Sequence, residues 1–417
     1  MAPPAKPGIG EIPWEDNGVK IGIPHEVGDR ADPEQQHTPL AQARIDLAAI
    51  RANTARLHDA AGAAEVMAVV KADGYGHGMV PCARAALAGG ATWIGVARLH
   101  EALALRAAGI DSRILAWLLS PGDDWISAIA SGIDLSAGAT WAVEAAARAA
   151  DTAGRPALLH LKIDTGLGRG GASCAHWPEV LDAAARAEAS GHVRVVGVWS
   201  HLTDADSPGH PESDKQLETF REAVALARKA GLRPEVVHLA NSAATLTLPQ
   251  THFDLVRPGL AVFGLSPIPG SAGPTALGLR PAMTLTARLA SVKRVPAGHG
   301  VSYGHRYRTS RETTLGLVPL GYGDGIPRHA SGTGPVLAAG RWRTVAGTVC
   351  MDQFVLDLCD DTAAVGDEVV LFGPGDRGEP GAEDWARAAG TLSYEIVTRI
   401  GARVPRTYTD GSSQTER

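Results

Sequence analysis

The sequence predicts an α/β fold, a (β/α)8 barrel of the TIM type followed by a mostly β domain. Two observations carry this prediction. Over residues 39–276, short apolar runs alternate with alanine-rich stretches of helical spacing, as in repeated βα units of a parallel sheet. Over residues 277–411 the apolar residues alternate with period two, with Gly, Pro and Asp between the runs, which is typical of strands joined by tight turns.

Eight apolar runs in the first region are candidates for the barrel strands: VMAVV, WIGVA, ILAWL, IDLSA, ALLHLKI, VVGVW, VVHLA and DLV. Eight parallel strands close naturally into a ring whose active site is built at the carboxyl ends of the strands. A doubly wound open sheet also binds ligands at its strand ends, so it is the alternative architecture. Before the first of these strands, RIDLAAIRANTARLHDAAG predicts a helix with Asp46 as its N-cap.

The expected organisation is a disordered tail at 1–38, the barrel at 39–276, the β domain at 277–411 and a second disordered tail at 412–417. The first tail is rich in Pro, Gly and charge and poor in apolar residues, as disordered segments are. It lacks the apolar core of a secretory signal, and no run of about 18 apolar residues predicts a membrane span. We therefore expect a cytoplasmic protein. The β domain contains one helical pattern, near AEDWARAAG.

Composition argues against several classes of partner. The 417 residues carry a formal net charge of −6, which disfavours a surface that would bind the phosphate backbone of a nucleic acid. The four cysteines are scattered without the CxxC spacing of zinc or redox sites, so we expect reduced thiols and no metal. A small-molecule substrate is the expected partner.

Ionisable and polar residues recur after the predicted barrel strands, where their side chains would meet at one end of the barrel. They come after the first, fifth, sixth, seventh and eighth strands. These residues are Lys71, Lys162, Asp164, Arg169, His201, Asn241, Ser242 and Arg257.

Lys71 ends the apolar strand of EVMAVVKADGYGHG and has two interpretations. Its stem could pack while its ammonium pairs with Asp73. Alternatively, an amine in a partly desolvated pocket loses its proton readily and forms a Schiff base with an aldehyde. Ser242 precedes a predicted helix, where it could serve as an N-cap or bind a phosphate, and glycine at Gly259 allows a close approach to backbone amides. A lysine, a phosphate site and Arg257 at one barrel end together suggest pyridoxal phosphate.

Nine motifs occur in an order that resembles the alanine racemase family: KADGYGHG, LKIDTGLGRGG, HLANSAATL, RPGLAVFGLSP, VSYGHRY, GYGDGIPR, GTVCMDQ, LSYEIVTRI and ARVPRTY. The match runs from about Gln42 to Tyr408. It implies a pyridoxal phosphate enzyme of fold type III that works as a head-to-tail homodimer with shared active sites. The implied reaction is the interconversion of L-alanine and D-alanine, which supplies D-alanine for peptidoglycan.

The resemblance gives the two catalytic positions to Lys71 and Tyr303. Lys71 would hold the cofactor as a Schiff base and then act as the base on one face of the substrate Cα. Tyr303, in VSYG, would enter the partner subunit's site and act on the opposite face; without the motif it would be taken for an ordinary packed tyrosine. Two opposed bases suit racemisation, because a single base tends to return the proton to the side it left. His201 would lie near both the cofactor ring and this tyrosine.

Further positions follow from the same resemblance. Arg257 would face the pyridine nitrogen and, since a guanidinium stays protonated, keep that nitrogen from accepting a proton, which makes transamination rarer. Arg169 would orient the substrate and the cofactor's phenolic oxygen. Lys162 matches a lysine that is carbamylated in some members and then steers Arg169, although a simple pair with Asp164 would also explain it.

The resemblance also assigns groups that bind the cofactor, the substrate carboxylate and the entry channel. Met351 and Asp352 would come from the partner subunit, near the substrate carboxylate, and Tyr322 would line the entry channel. The cofactor-binding positions, besides Lys71, are Tyr75, His201, Asn241, Ser242, Arg257, Gly259, Leu260 and Tyr394.

Two departures from the family pattern bear on the shape of the site. Phe263 stands where many members have tyrosine, and Leu167 stands where methionine is common. A racemase of broader specificity, acting on serine or other small amino acids, is therefore the closest alternative function. A non-catalytic pyridoxal phosphate-binding protein would lack the β domain and Tyr303, and basic amino acid decarboxylases would lack CMDQ and RVPRTY.

Overall fold

The computed structural model begins with a strand and a helix, β1 (Ala41–Asp46) and α1 (Leu47–Ala61). The Asp46 side chain caps α1 by accepting hydrogen bonds from the amides of Ala48 and Ala49 at 3.0 and 3.1 Å, as predicted. The tails expected at the two ends lie outside the described residues. Those residues are 39–207, 209–268, 270 and 273–411.

Eight parallel strands form the barrel: β2 (Glu65–Val69), β3 (Trp93–Val96), β4 (Arg113–Ala116), β5 (Asp134–Ala137), β6 (Ala157–Lys162), β7 (Val193–Trp199), β8 (Val236–His238) and β9 (Leu255–Val256). Their order in the sheet is β8-β7-β6-β5-β4-β3-β2-β9. The amide of Asp254 donates to the carbonyl of Val237 at 3.0 Å, and the amide of Arg257 donates to that of Ala240 at 2.9 Å, which joins β9 to β8. The barrel that the eight apolar runs predicted is therefore confirmed.

Helices alternate with these strands and bury one apolar face against them, as α6 (Thr140–Ala153) does with Ala142, Val143, Ala146 and Ala150 at helical spacing. After the last of these helices, the described residues form short 3-10 helices at Pro249–Thr251, Leu260–Phe263 and Pro274–Leu277. The helices of this part are α2 (Lys71–Tyr75), α3 (Met79–Ala88), α4 (Leu99–Ala107), α5 (Trp125–Ala130), α6 (Thr140–Ala153), α7 (Trp177–Ala189), α8 (Pro211–Lys229) and α9 (Ser242–Thr247).

The C-terminal part is mostly β, as predicted, with strands β10 (Met283–Arg288), β11 (Ser291–Val295), β12 (Gly300–Val301), β13 (Tyr307–Arg308), β14 (Thr313–Val318), β15 (Pro335–Ala338), β16 (Arg341–Thr344), β17 (Phe354–Cys359), β18 (Glu368–Phe372) and β19 (Arg406–Thr409). Short 3-10 helices lie at Tyr303–His305, Tyr322–Asp324 and Arg328–Ala330. The described residues here form two α-helices where the sequence suggested one: α10 (Ala382–Ala389) matches AEDWARAAG, and α11 (Ser393–Thr398) was missed. Six residues give too few turns for a periodic pattern.

Strand β1 belongs to the same sheet as the C-terminal strands, although it precedes the barrel in the chain. It pairs antiparallel with β10 and parallel with β19, in a six-stranded sheet ordered β16-β15-β18-β10-β1-β19. Strands β11, β14 and β17 form a second sheet. The chain therefore enters and leaves the barrel through one sheet, which positions the C-terminal part against the barrel. Within the described residues, no helix is both long and apolar enough to cross a membrane.

Candidate active site

A cleft of about 990 Å³ opens at the carboxyl ends of the barrel strands. It collects the residues that the sequence placed after these strands, except Asp164, together with Tyr75, Gly259, Leu260 and one tyrosine from α11. We call these predicted residues the cleft set. They are Lys71, Tyr75, Lys162, Arg169, His201, Asn241, Ser242, Arg257, Gly259, Leu260 and Tyr394.

Lys71 is followed by an unusual left-handed turn. Ala72, Asp73 and Tyr75 all have φ of 52° or 53°, and Gly74 between them has φ of 61°. This conformation costs a non-glycine residue about 1–2 kcal/mol, so the turn must be held by its surroundings. One such contact comes from His77, whose Nδ1 lies 3.1 Å from the carbonyl oxygen of Gly74 and 3.0 Å from that of Tyr75.

The Lys71 side chain projects into the cleft between two aromatic rings. Its Nζ lies 5.9 Å from the ring centroids of both Tyr75 and Trp117. The alternative interpretation, pairing with Asp73, is not observed: the Asp73 carboxylate instead accepts the amide of Met79 at 2.8 Å, at the start of α3. Burial lowers the pKa of Lys71, and the nearby Arg169 lowers it further. The amine is thus easier to deprotonate than an ordinary lysine.

Backbone amides and hydroxyls converge at the end of β9. The hydroxyl oxygen of Ser242 accepts the amides of Gly259 at 2.8 Å and Ala261 at 3.4 Å. Helix α9 begins at Ser242, as predicted, but its N-cap is Asn241, whose side chain accepts the amide of Ala244 at 3.1 Å. The Ser242 hydroxyl is therefore not needed as a cap and remains beside the amides.

Two tyrosines close this corner of the cleft. A Cβ at Gly259 would lie only 2.3 Å from the hydroxyl oxygen of Tyr75, so only glycine leaves room there. The rings of Tyr75 and Tyr394 lie 6.2 Å apart. Burial raises the pKa of Tyr75, and it raises the pKa of Tyr394 to about 12. Both hydroxyls consequently remain hydrogen-bond donors at neutral pH.

Arg257 lies on the floor of the cleft and is buried. Its Nη2 donates to the carbonyl oxygens of Ser200 at 2.7 Å and Leu239 at 3.2 Å, and lies 3.4 Å from Nδ1 of His201. Burial lowers the pKa of Arg257 to about 9, which still leaves it protonated at neutral pH. Burial and the Arg257 charge hold the pKa of His201 well below its usual value, so this imidazole is neutral.

Beneath the cleft, Arg257 begins a chain of buried hydrogen bonds that sequence reasoning missed. A guanidinium can only donate. Its Nη1 therefore donates to Nδ1 of His238 at 3.1 Å, so the proton of His238 is on Nε2. That proton is donated to Nδ1 of His160 at 2.8 Å, and Nε2 of His160 donates to the Asp134 carboxylate at 3.1 Å. Arg113 donates to the same oxygen at 2.6 Å. Two neutral imidazoles thus connect the Arg257 cation to a buried carboxylate.

Lys162 lies over the ring of Trp199, with its Nζ 4.5 Å from the centroid. The predicted alternative, a pair with Asp164, is not observed, because that carboxylate accepts the amides of Gly166 and Arg169, each at 3.0 Å. Burial, followed by the charges of Arg257 and Arg169, lowers the pKa of Lys162 to about 8. More of this amine is therefore uncharged near neutral pH than in an ordinary lysine.

The remaining predicted residues do not line the cleft of their own chain. We call them the outer set: Tyr303, Tyr322, Met351 and Asp352. The Tyr303 side chain is 75% exposed, and Tyr322 and Met351 are exposed as well. Asp352 is held by Arg403, whose Nη2 donates to its carboxylate at 2.7 Å.

The outer set forms one surface of the C-terminal part. The amide of Tyr322 donates to the carbonyl oxygen of Cys350 at 3.0 Å, which places it beside Met351 and Asp352. The Thr348 hydroxyl donates to the carbonyl oxygen of Tyr303 at 3.1 Å, which ties the Tyr303 turn to the same loop. These contacts bring the four residues onto neighbouring loops, and none of the four lines the cleft of its own chain.

Family comparisons cover most of the chain. A family model of the alanine racemase N-terminal domain matches residues 45–267, and one of the alanine racemase C-terminal domain matches residues 282–408. The chain belongs to the alanine racemase family. This confirms the resemblance read from the nine motifs and the enzyme class that it implied, an isomerase acting on alanine.

Individual relatives agree with this assignment. The chain is similar to an alanine racemase of Frankia casuarinae, with 64% identity over 87% of this chain and 95% of that one. It resembles the crystal structure of an alanine racemase from D-cycloserine-producing Streptomyces lavendulae, with a TM-score of 0.89 and 59% identity over 90% of this chain and 98% of the other. The alanine racemase of Bacillus anthracis, solved with bound L-Ala-P, is 35% identical with a TM-score of 0.83, over 91% of this chain and 97% of that one.

Proposed function

We propose that the protein is a pyridoxal phosphate-dependent racemase that interconverts L-alanine and D-alanine by two bases, Lys71 and the partner subunit's Tyr303. The observation that carries the proposal is the charge of the cleft. Four basic side chains line it, Lys71, Lys162, Arg169 and Arg257, against a single carboxylate, Asp206, among its described lining residues. Such a site suits an anionic cofactor and an amino acid carboxylate.

The residues present fit pyridoxal phosphate. The phosphate would be held by the Ser242 hydroxyl, by the two amides that converge on it, and by the hydroxyls of Tyr75 and Tyr394. The absence of a side chain at Gly259 would leave space for it. Lys71 would bind the aldehyde carbon. When bound, the cofactor supplies the electron sink that makes the substrate Cα acidic.

Lys71 supplies the base on one face of the substrate. Its lowered pKa increases the fraction of free amine near neutral pH, and the free amine is the form that can take a proton at Nζ. The left-handed turn after Lys71 fixes the start of its side chain, so the amine approaches the substrate from one side only.

Tyr303 supplies the acid or base on the other face, from a second copy of the chain. The exposure of Tyr303 and its neighbours in the outer set supports this role, because these side chains have no part in the cleft of their own subunit. The head-to-tail homodimer of the proposal would place the partner subunit's Tyr303 near His201, with Met351 and Asp352 near the substrate carboxylate and Tyr322 in the entry channel.

Two arginines of the cleft set steer the reaction without exchanging the proton themselves. Arg257 has a hydrogen-bond donor but no acceptor to offer to the pyridine nitrogen, which limits the electron withdrawal by the ring and disfavours transamination. Arg169 would orient the substrate, and Lys162, if carbamylated, would hold Arg169. The low pKa of Lys162 supports carbamylation, since that reaction needs the uncharged amine.

The biological setting is part of the proposal. D-Alanine made by this enzyme would enter peptidoglycan synthesis, and the reaction would take place in the cytoplasm. The B. anthracis relative solved with L-Ala-P supports alanine as the substrate, since this chain shares 35% of its residues over most of its length.

Solvent deuterium incorporation at Cα tests the proposal directly. We expect the enzyme loaded with pyridoxal phosphate to exchange and invert both L-alanine and D-alanine in D2O. Tyr303→Phe should lose inversion and keep exchange mainly from one isomer, while Tyr307→Phe, a matched change in the same β region, should retain both. If neither isomer of alanine exchanges although the cofactor is bound, the alanine assignment is overturned. If serine exchanges faster than alanine, the broader racemase is favoured.

A further inference from the structure

Glu101 is a buried carboxylate whose hydrogen bonds go to backbone amides of two different loops. It lies in the first turn of α4 and is only 9% exposed. Its Oε2 accepts the amides of Ala97 at 3.0 Å and Arg98 at 2.9 Å, which caps its own helix. Its Oε1 reaches across to the loop after β2 and accepts the amide of Ala72 at 2.7 Å. A cap alone does not explain this second contact.

Ala72 is the residue directly after Lys71 and the first in the left-handed turn, with φ of 53°. A residue with a Cβ adopts this conformation only at a cost in free energy. The carboxylate therefore binds the amide of the residue at which the backbone departs from the strand, and a charged acceptor makes a strong hydrogen bond. If the turn relaxed at Ala72, the direction of the Lys71 side chain would change with it.

The same carboxylate acts on Lys71 through its charge. The pKa of Lys71 is lowered by burial and by Arg169, and Glu101 opposes both by raising it. Besides Lys71 and Arg169, the charged groups that line the cleft are two basic side chains, Lys162 and Arg257, and one carboxylate, Asp206. Glu101 thus supplies a further negative charge next to a cleft in which basic groups predominate.

We propose that Glu101 is a positioning residue for Lys71: it holds Ala72 in the left-handed turn so that the amine projects into the cleft. This rests on the proposed function of Lys71 as the residue that binds pyridoxal phosphate. Glu101 itself does not line the cleft and takes no part in proton exchange.

Glu379 offers a matched control. It is also buried, at 6% exposure, and its two oxygens accept the amides of Gly375 and Arg377, each at 2.8 Å. It lies in the C-terminal part, in the loop after β18, and takes no part in the cleft. Glu379→Gln therefore reports the cost of removing a buried, amide-binding carboxylate without disturbing the Lys71 turn.

The experiment compares the apoenzymes of wild type, Glu101→Gln and Glu379→Gln as they take up pyridoxal phosphate. Attachment is followed by absorbance across a pH series, and the modified lysine is identified by borohydride trapping and peptide mass spectrometry. We expect Glu101→Gln to attach the cofactor to Lys71 at least ~10-fold more slowly, as expected for a misplaced reacting group, with its pH midpoint shifted to lower pH. Glu379→Gln should match wild type in both.

A double variant separates positioning from a general loss of stability. Glycine adopts positive φ freely, so Ala72→Gly in the Glu101→Gln background should recover most of the attachment rate. Glu101→Asp keeps the charge, but its shorter side chain should not reach the amide of Ala72. We therefore expect its pH midpoint to be closer to that of wild type than its attachment rate is. This variant replaces Glu101→Gln in the comparison if Glu101→Gln does not fold.

Three results would overturn the proposal. The first is an attachment rate in Glu101→Gln equal to that of wild type, and the second is equal slowing in Glu379→Gln. The third is failure of Ala72→Gly to improve the rate in either Glu101 variant. If wild type itself attaches no cofactor at Lys71, the proposed function fails as well, which distinguishes that failure from one confined to Glu101.

Discussion

The cleft set and the outer set differ in what one copy of the chain can assemble. Side chains of the cleft set come from the barrel and from α11 of one chain, and some lie within hydrogen-bond distance of each other, as Arg257 and His201 do. The outer set is held by hydrogen bonds of its own loops, yet Tyr303 is 75% exposed and lies outside that cleft. One chain therefore forms a binding cleft and, separately, an exposed surface whose residues do not line that cleft.

This difference suggests a division of labour. The cleft set would bind the cofactor and provide one base, whereas the outer set would complete the site of a second copy. Mutations in the two sets should therefore impair the enzyme in different ways: changes in the cleft set should impair cofactor binding, and changes in the outer set should impair the chemistry at a second copy's site.

The largest effect is expected from Lys71→Ala. Because this change removes both the attachment point and one base, racemisation in both directions should fall by at least ~10³-fold. The absorbance of covalently bound cofactor should vanish as well, which a spectrum of the purified protein would show. Retention of a lysine-linked cofactor in this variant would contradict the assignment of Lys71.

Tyr303→Phe should affect chemistry without affecting binding. Loss of one general acid–base group typically costs 10²–10⁴-fold in rate, so we expect a fall of about that size in kcat. The cofactor spectrum should be unchanged, because the groups proposed to hold the cofactor all belong to the cleft set, which does not include Tyr303. Steady-state kinetics and an absorbance scan of the same sample measure both. Loss of cofactor together with activity would mean that the two sets are not separable.

Mixing the two inactive variants tests whether the sets belong to different copies. In a dimer with shared sites, a hybrid of Lys71→Ala and Tyr303→Phe subunits contains one site with both residues intact. After subunit exchange, about a quarter of wild-type activity per subunit should return, since half of the dimers are hybrids and half of their sites are complete. No recovery, despite exchange demonstrated by native mass spectrometry, would place both bases in one chain.

The cleft set could be predicted from sequence because parallel strands place their carboxyl ends at one edge of the sheet. Lys71, His201 and Arg257 each follow an apolar run, and position relative to that run was enough to group them. The family motifs then assigned roles that spacing alone left open.

The hydrogen-bond chain below the cleft was missed for a related reason. His160 and His238 lie inside the runs ALLHLKI and VVHLA, whose mostly apolar residues predict barrel strands and hide the polar positions within them. A single imidazole within a buried strand was the available signal, since such a group needs a partner in the barrel interior. That both histidines and Asp134 meet there depends on the barrel register, which no local pattern determines.

Local backbone geometry was equally hidden. Gly74 and Gly76 mark a turn in KADGYGHG, but nothing in the residue types indicates that Ala72, Asp73 and Tyr75 also take positive φ. A local contact from His77 and a tertiary contact from Glu101, 29 positions after Ala72, hold this conformation, and Glu101 was not recognised as related to Lys71.

Asp134→Asn tests how far the cleft set extends into the barrel. The change removes the carboxylate that receives the chain of hydrogen bonds from Arg257, so we expect a several-fold loss of kcat. The cost to the free energy of unfolding should be about 1–3 kcal/mol, since a buried charged acceptor is lost. Arg113→Met, which breaks the outer contact of Asp134 and leaves both histidines in place, is the control. If Asp134→Asn and Arg113→Met lower kcat equally, Asp134 affects the reaction only through the stability of the fold.

The smallest effect on activity is expected from a change of His77, which is 1% exposed and contacts the left-handed turn that follows Lys71. Burial lowers its pKa to about 4, from a usual value near 6.5. Between these pH values the unfolded chain binds a proton that the folded protein does not, so acidification favours unfolding. From pH 7 to pH 5 this one group should cost roughly 2 kcal/mol of the free energy of unfolding.

His77→Asn isolates that contribution. The asparagine amide can still donate to the carbonyl oxygens of Gly74 and Tyr75 but does not titrate, so the variant should be somewhat less stable at pH 7 and lose less stability on acidification. Urea unfolding at pH 7 and pH 5, at one protein concentration, measures the difference. If the free energy of unfolding falls equally in both proteins between pH 7 and pH 5, other buried imidazoles, such as His201 and His238, account for the acid sensitivity. The left-handed turn after Lys71 would then not depend on a neutral His77.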